Sequence, residues 1–356
     1  MKRAYLVRWG AYGDHIHMSN VIRALHEDGY EITFEYNYKG AQIHSYNPRI
    51  SRHIVFEPMA EENGGKLNYK LDEYKRLKDE YDIFVNFSFS LEEALIEPEH
   101  KPSYFWPLWK RRLKNTNICF YDQSMIWAGL TAKKYMGLTG DIFFKREEHE
   151  HVLNQLRPYE DKFIVLLALR GSTYQKHLRH VARGICDEWL KRHPDSVIIT
   201  TGDKSCQGWE WPSAHGTTIA PERGLGDGTH SLVHKSARMP FRQALNIAKY
   251  ADLVITPETG LGIGAGAFAT PKIMLLTTSN ILNIAGNDRN DYSLQSEAYC
   301  SPCARAIYNT DNCPVDDSTK LPICIMFDRE RVVRRMEEVF YNKHQRYWEI
   351  KDEGVY

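Results

Sequence analysis

The 356-residue sequence predicts an α/β protein made of two doubly wound, Rossmann-like parallel sheets facing each other across a cleft. Three features predict it. Short apolar runs alternate with helical patterns through both halves, the order that builds parallel strands covered by helices. The length suits two domains better than one. A charged segment, KREEHEHVLNQLRPYEDK from 145 to 162, interrupts the alternation midway and places a boundary near Pro158. The units are then 1–157, 158–335 and a tail, 336–356, that forms a helix closing the second unit or crossing back to the first.

The first unit opens with a buried strand, Ala4 to Val7, a polar turn, and a helix from about Ser19 to Asp28 that Gly29 ends as a C-terminal glycine does. YEITFEY, 30–36, and YDIFVNFSFS, 81–90, supply further strands. The second unit repeats the scheme: strand 163–169, helix 173–193, strand 196–201, helix 240–250, strand 252–256, a Gly-rich turn with a short helix from Ala265 to Ala269, and strand 272–277. Arg329 to Glu349 is a long helical pattern rich in Arg, Glu and Tyr. Sheets of this kind bind ligands at the carboxyl ends of their strands, so the cleft between two of them is the expected site.

Composition narrows the function. With 42% hydrophobic and 26% charged residues the chain can bury proper cores. Lys plus Arg and Asp plus Glu balance at 46 each, which removes the general basic field of a nucleic-acid protein while leaving a local patch open. No apolar run approaches the roughly 18 residues that span a bilayer, and Met1-Lys2-Arg3 leads straight into a strand, so a cytoplasmic protein is expected. Seven cysteines point to reduced thiols or a metal site rather than disulfides.

Three stretches carry chemistry. In Trp9-Gly10-Ala11-Tyr12-Gly13-Asp14 the glycines let a ligand approach, and Asp14 at a helix start is either a cap or a carboxylate aimed into the cleft. His15 and His17 are two apart, do not share a helix face, and so do not form a metal pair. In 251–276 a buried strand runs through Glu258 into Thr259-Gly260-Leu261-Gly262, where free N–H groups suit a diphosphate and glycines equally suit close helix packing. In LALRGSTYQKHL, 167–178, Arg170 and Lys176 flank a Gly-Ser-Thr turn, adding charge for the same anion or standing as solvated surface cations.

Together these stretches resemble the family-nine, heptosyltransferase-like glycosyltransferases, and the likeness is strongest at 4–36, 163–203 and 239–303. The resemblance implies a GT-B fold, an acceptor-side first domain and a nucleotide-sugar-binding second domain. It implies inverting transfer of a sugar, by family default heptose from ADP-heptose, to an acceptor hydroxyl of a bacterial glycan such as lipopolysaccharide core, with no cofactor required. Asp14 matches the general base. Lys176 and Ser172 match positions on the nucleotide diphosphate, Met239 the base pocket, and Thr259 and Gly260 the phosphate turn, with Arg170 and Glu258 beside them. Gly13 and His17 fall on the acceptor side. Glu258 stands where the family has Asp, and Ile263 where it has His.

Cys300, Cys303, Cys313 and Cys324 give a Cys-x2-Cys pair and two further thiols, a donor set for structural zinc or iron or a group of ordinary reduced cysteines. The pattern also resembles the cysteine fingers of protein heptosyltransferases. YFWPLWKRRLKN, 104–115, sets four aromatics beside four cations. It reads as a core helix with solvated charges, as an acceptor-side or peripheral inner-membrane surface, or as a nucleic-acid patch. The rival functions are the same transfer to a protein hydroxyl or a hydroxylated DNA base, and a non-catalytic nucleotide-sugar binder.

Overall fold

The computed structural model describes residues 2–56, 71–87, 118–202, 206, 217–219, 239–303 and 313–342. Its first sheet holds β1 (Lys2–Arg8), β2 (Tyr30–Tyr36), β3 (Arg52–Val55) and β4 (Ile83–Asn86), all parallel, in the spatial order β3-β2-β1-β4. The second holds β5 (Phe163–Ala168), β6 (Ser196–Thr201), β7 (Thr217–Ile219), β8 (Leu253–Pro257), β9 (Lys272–Leu276) and β10 (Leu294–Gln295). It too is parallel throughout, ordered β10-β9-β8-β5-β6-β7. In each sheet the strand order reverses beside the first strand, so β1/β4 and β5/β8 are the two switch points where a ligand crevice opens.

Period-two alternation explains why both sheets are layered. Along β1, Ala4 and Leu6 enter one core with Ile32 and Phe34, whereas Tyr5 and Val7 enter another with Tyr74 and Leu77. Along β5, Ile164, Leu166 and Ala168 face one cluster and Val165 and Leu167 the other. Strands apolar on both faces need helices on both faces, and the sequence supplies them.

The first helix, α1 (Tyr12–Glu27), begins seven residues before the expected Ser19. It is buried nearly all round, and its polar residues are spent on neighbours: Ser19 Oγ donates to Ile16 O and accepts from Asp141 N, and Asn20 Nδ2 donates to Tyr121 O. Further helices of this half are α2 (Tyr38–His44), α3 (Leu71–Glu80), α4 (Phe120–Trp127) and α5 (Arg146–Leu156). The expected helix from 173 instead forms a loop and then α6 (Arg179–Arg192). α7 (Phe241–Tyr250) precedes β8, and α8 (Gly260–Ala267) starts at the first glycine of the turn, not at Ala265. α9 (Ile281–Ala285) follows β9.

The last described helix, α10 (Arg329–Tyr341), packs on α6: Arg192 bonds Glu330 and Glu337, and Phe340 lies edge-on to Trp189. As far as Asn342 the tail therefore covers the second sheet; residues 343–356, and the aromatic-basic stretch 104–115, lie outside the described residues.

The two halves meet closely. Gly260 abuts α1, where an added Cβ would come within 2.8 Å of Tyr12 Cβ and 2.9 Å of Gly13 N. Tyr12 and Phe241 stack with ring centroids 3.7 Å apart. Arg242 binds the Glu148 carboxylate with two nitrogens, at 2.6 and 2.8 Å, and donates to Gln42 O and Phe143 O. One guanidinium thus joins α2, the 143–148 segment and α7, a fork geometry that lysine could not reproduce.

Candidate active site

A cavity of about 640 Å³ lies between the sheets, at the carboxyl ends of β1, β5 and β8. Its first wall is the start of α1, from Ala11 to Asp14, with His17, Lys39 and Phe120. Its second wall is the 170–173 loop with Lys176, the β6 end at Thr201 and Gly202, Met239, Phe241, and the stretch Glu258 to Leu261 with Ile263. Asp14, Gly13, His17, Arg170, Ser172, Lys176, Met239, Glu258, Thr259 and Gly260, singled out from sequence, all line it.

Asp14 sits in the first turn of α1, 26% exposed. Its Oδ2 accepts from Ala11 N at 2.7 Å, and its Oδ1 pairs with Arg8 Nη2 at 2.7 Å. Cap and cleft carboxylate are therefore one group. Burial pushes its pKa up, but the Arg8 guanidinium, the Ala11 N–H and two nearby histidines outweigh that and leave the carboxyl below its ordinary value. Arg8 is itself 1% exposed and also donates to Phe87 O. Each carboxylate oxygen keeps a second lone pair for a further partner.

His15 and His17 are both buried. Burial, reinforced at His15 by the positive Arg8, pushes His15 down to about 4; burial pushes His17 down to about 3, so both rings are neutral at pH 7. His15 Nε2 bonds Asn37 Oδ1 at 2.9 Å and is built into the α1–α2 contact. His17 is the one that lines the cavity.

Lys176 owes its place to a folded-back loop. Gly171 N donates to Lys176 O at 2.7 Å, Lys176 N to Thr173 O at 3.0 Å, and Leu178 N to Leu169 O at 2.9 Å, which delays the helix and turns the lysine inward. Its Nζ lies 3.0 Å from Glu258 Oε1, the two side chains 17% and 7% exposed. Glu258 also accepts from Thr278 Oγ1, from Ser279 N at 2.9 Å and from Ser279 Oγ at 2.6 Å. Burial raises its pKa, yet Lys176 and the Ser279 donors more than compensate and the net shift is downward. The extra methylene of glutamate lets the carboxylate reach the β9 end, where its oxygens are largely taken up.

At the neighbouring helix start, Thr259 is extended (φ −142°, ψ 165°) and its hydroxyl bonds Thr256 Oγ1 at 2.6 Å. The first N–H groups of α8 have no intrahelical acceptor and carry the positive end of the helix dipole to the cavity. Both readings of the glycine-rich stretch hold at once. Gly260 faces Tyr12 and Gly13, while Gly262 packs where a Cβ would meet Thr256 Cγ2 at 2.7 Å and Met274 at 2.8 Å.

Sequence reasoning did not single out Arg8, Tyr12, Lys39, Phe120 or Phe241. Arg8 alone left a trace, as a cation at the end of a buried strand. All seven cysteines are unbridged. Cys324 is held above its ordinary value by burial and by the nearby Cys303, Cys313 and Cys300, yet among the described residues no group of three or more His, Cys, Asp or Glu side chains is placed to hold a metal ion. No helix among the described residues is long and apolar enough to cross a membrane.

No sequence-family model matches the chain, and no curated protein matches it in sequence. Solved structures do match. A family-nine glycosyltransferase from Veillonella parvula aligns with a TM-score of 0.64 at 12% identity, covering 96% of this chain and 98% of that one. The E. coli heptosyltransferase WaaC, solved with ADP, gives 0.55 at 15% identity, over 95% and 99%. The iron-containing dodecameric glycosyltransferase TibC from enterotoxigenic E. coli gives 0.55 at 10% identity, over 96% and 77%. Over nearly its whole length the chain has the two-sheet GT-B fold of the family-nine heptosyltransferases.

Proposed function

We propose that this protein is an inverting glycosyltransferase of the heptosyltransferase kind. One observation carries the proposal: a single cavity holds a carboxylate, Asp14, on the wall of one sheet, and a lysine with an open helix N-terminus, Lys176 and Thr259–Gly260, on the wall of the other. Transfer from a nucleotide sugar needs that separation of a base from an anion site.

In this reading the diphosphate lies against the α8 N-terminus and Lys176, with Ser172 and Arg170 on its flank and the base toward Met239. Asp14 takes the proton of an acceptor hydroxyl as its oxygen bonds the anomeric carbon. The bond from that carbon to the diphosphate oxygen breaks with its electron pair going to the diphosphate, and attack from the opposite face inverts the centre. Glu258 steers Lys176, and Gly13, packed against Ile263 and Gly260, lets the two walls close beside the acceptor. The default donor is ADP-heptose and the default acceptor a glycan such as lipopolysaccharide core. The four cysteines suit structural zinc or iron by donor chemistry, with no part in the transfer.

The test is ADP release from ADP-heptose in the presence of core glycan. Replacing Asp14 by Ala should lower the rate by about 10²- to 10⁴-fold, the usual worth of a general base. A variant as fast as the wild type would strip Asp14 of that role.

A further inference from the structure

The wall of the cavity contains a polar group that the transfer scheme leaves unused. His17 is 2% exposed, lines the cavity one helical turn beyond Asp14, and neither Nδ1 nor Nε2 has a hydrogen-bond partner among the described residues. Its neighbours are rings: Tyr121 lies edge to face at 4.7 Å and Phe120 at 5.6 Å between centroids. The contrast with His15, two residues earlier and hydrogen-bonded to Asn37, is direct. A buried imidazole left without partners costs stability, so its retention in a cavity calls for a partner that arrives with the ligand.

The chemistry of that partner follows from the ring's state and surroundings. A neutral imidazole offers one N–H donor and one lone-pair acceptor. A hydroxyl can answer either of them with one atom, and a sugar presents several in a row. The rings of Phe120 and Tyr121 pack directly on His17, and the charges near enough to act on it are those of Asp14, Arg8 and Lys272, so a neutral ligand group suits this place better than a further charge. Asp14 is close enough for its charge to act on the His17 ring, so the hydroxyl bound here belongs to a sugar near the reacting centre.

We propose that His17 is a sugar-binding residue, giving and accepting hydrogen bonds with hydroxyl groups of the donor or acceptor sugar held beside Asp14. This rests on the glycosyltransferase reading above and adds to it the group that recognises the polyol.

The test compares wild type, His17→Leu and His17→Asn in ligand-free melting, in affinity for ADP and ADP-heptose, and in KM for core glycan. His17→Leu should melt at or above the wild-type temperature, because an apolar side chain removes an unpaired polar group. It should keep ADP affinity within twofold, and lose tenfold or more either in the preference for ADP-heptose over ADP or in acceptor KM. The first loss places the hydroxyl on the donor and the second on the acceptor; His17→Asn, which restores a donor and an acceptor, should recover part of either. A melting temperature lowered by about 5 °C or more, or no change in either sugar readout, would overturn the proposal. Wild-type protein that binds neither ADP nor ADP-heptose would instead bring down the glycosyltransferase reading, and this assignment with it.

Discussion

Replacing Glu258 by Gln keeps the shape of the side chain and removes its charge, and the structure says what that charge does. The carboxylate is 7% exposed and faces Lys176 Nζ at 3.0 Å, with Thr278 and Ser279 donating to the same two oxygens. Unit charges at that distance attract by about 5 kcal/mol at an effective dielectric near 20, before desolvation is subtracted. Breaking a buried pair by removing one partner typically costs about 3–5 kcal/mol, and Lys176, still 17% exposed, puts this case near the lower figure, about 3 kcal/mol. For a domain of this size that is a fall of roughly 6–12 °C in melting temperature. Urea unfolding followed by tryptophan fluorescence reads it directly, since Trp189 is fully buried behind the second sheet. The sign of the pH dependence is fixed as well. Glu258 is depressed in the folded state, so its contribution is present above the unfolded glutamate value of about 4.3 and is lost as pH falls through the lower folded one. The gap between wild type and variant should be full at pH 7 and close below about pH 4. A gap under about 1 kcal/mol at pH 7, or one that widens on acidification, would refute the reasoning.

Two further perturbations follow from the same geometry. Arg8→Met leaves Asp14 with its burial but without its cation, so the carboxyl should rise and the acid limb of kcat/KM should move up by about 1–3 pH units; an unmoved limb would show that Arg8 does not set the state of Asp14. Metal analysis of protein purified without chelators tests the proposal that Cys300, Cys303, Cys313 and Cys324, which this structure does not gather as a ligand set, close around zinc or iron: about one equivalent, lost in Cys303→Ser, would support it, and well under one equivalent in the wild type would leave the four as plain thiols.

Elements whose signal is local were legible. YEITFEY and the 196–201 strand match β2 and β6 residue for residue, because alternating or continuous apolar runs bounded by turn residues leave little choice of limits. The starts of α7 and α10 were read within a residue, but those at the glycine-rich stretches were not. Gly10 and Gly13 looked like a turn, yet α1 begins at Tyr12: Gly10 makes the bend before it, where a Cβ would meet Asp14, while Gly13 lies inside the helix and serves the approach of α8. Thr259 to Gly262 misled in the same way: the run is the first turn of α8, made of glycine because Tyr12 and Met274 press on it. The charged and glycine-turn residues of the cavity were legible individually, but its aromatic lining, Lys39 and the pairing of the charges were not. Lys176 and Glu258 are 82 positions apart, and only the fold brings them to 3.0 Å. Arg8 and Asp14 are close in sequence, but nothing in the spacing tells that a strand end and a helix start point at each other. The resemblance put only His17 on the acceptor side, and packing supplies the physical reason: His15 is a hydrogen-bonded core histidine, whereas His17 lines the cavity without a partner among the described residues.

The central claim is that the cleft holds a nucleoside diphosphate against Lys176 and the start of α8. Thermal-shift titration of the wild type and Lys176→Ala with ADP, UDP, GDP, CDP and dTDP tests it most directly. The account predicts stabilisation by ADP above the other four, lost or strongly reduced in the lysine variant. No stabilisation by any of the five, or a response that Lys176→Ala leaves intact, would contradict it.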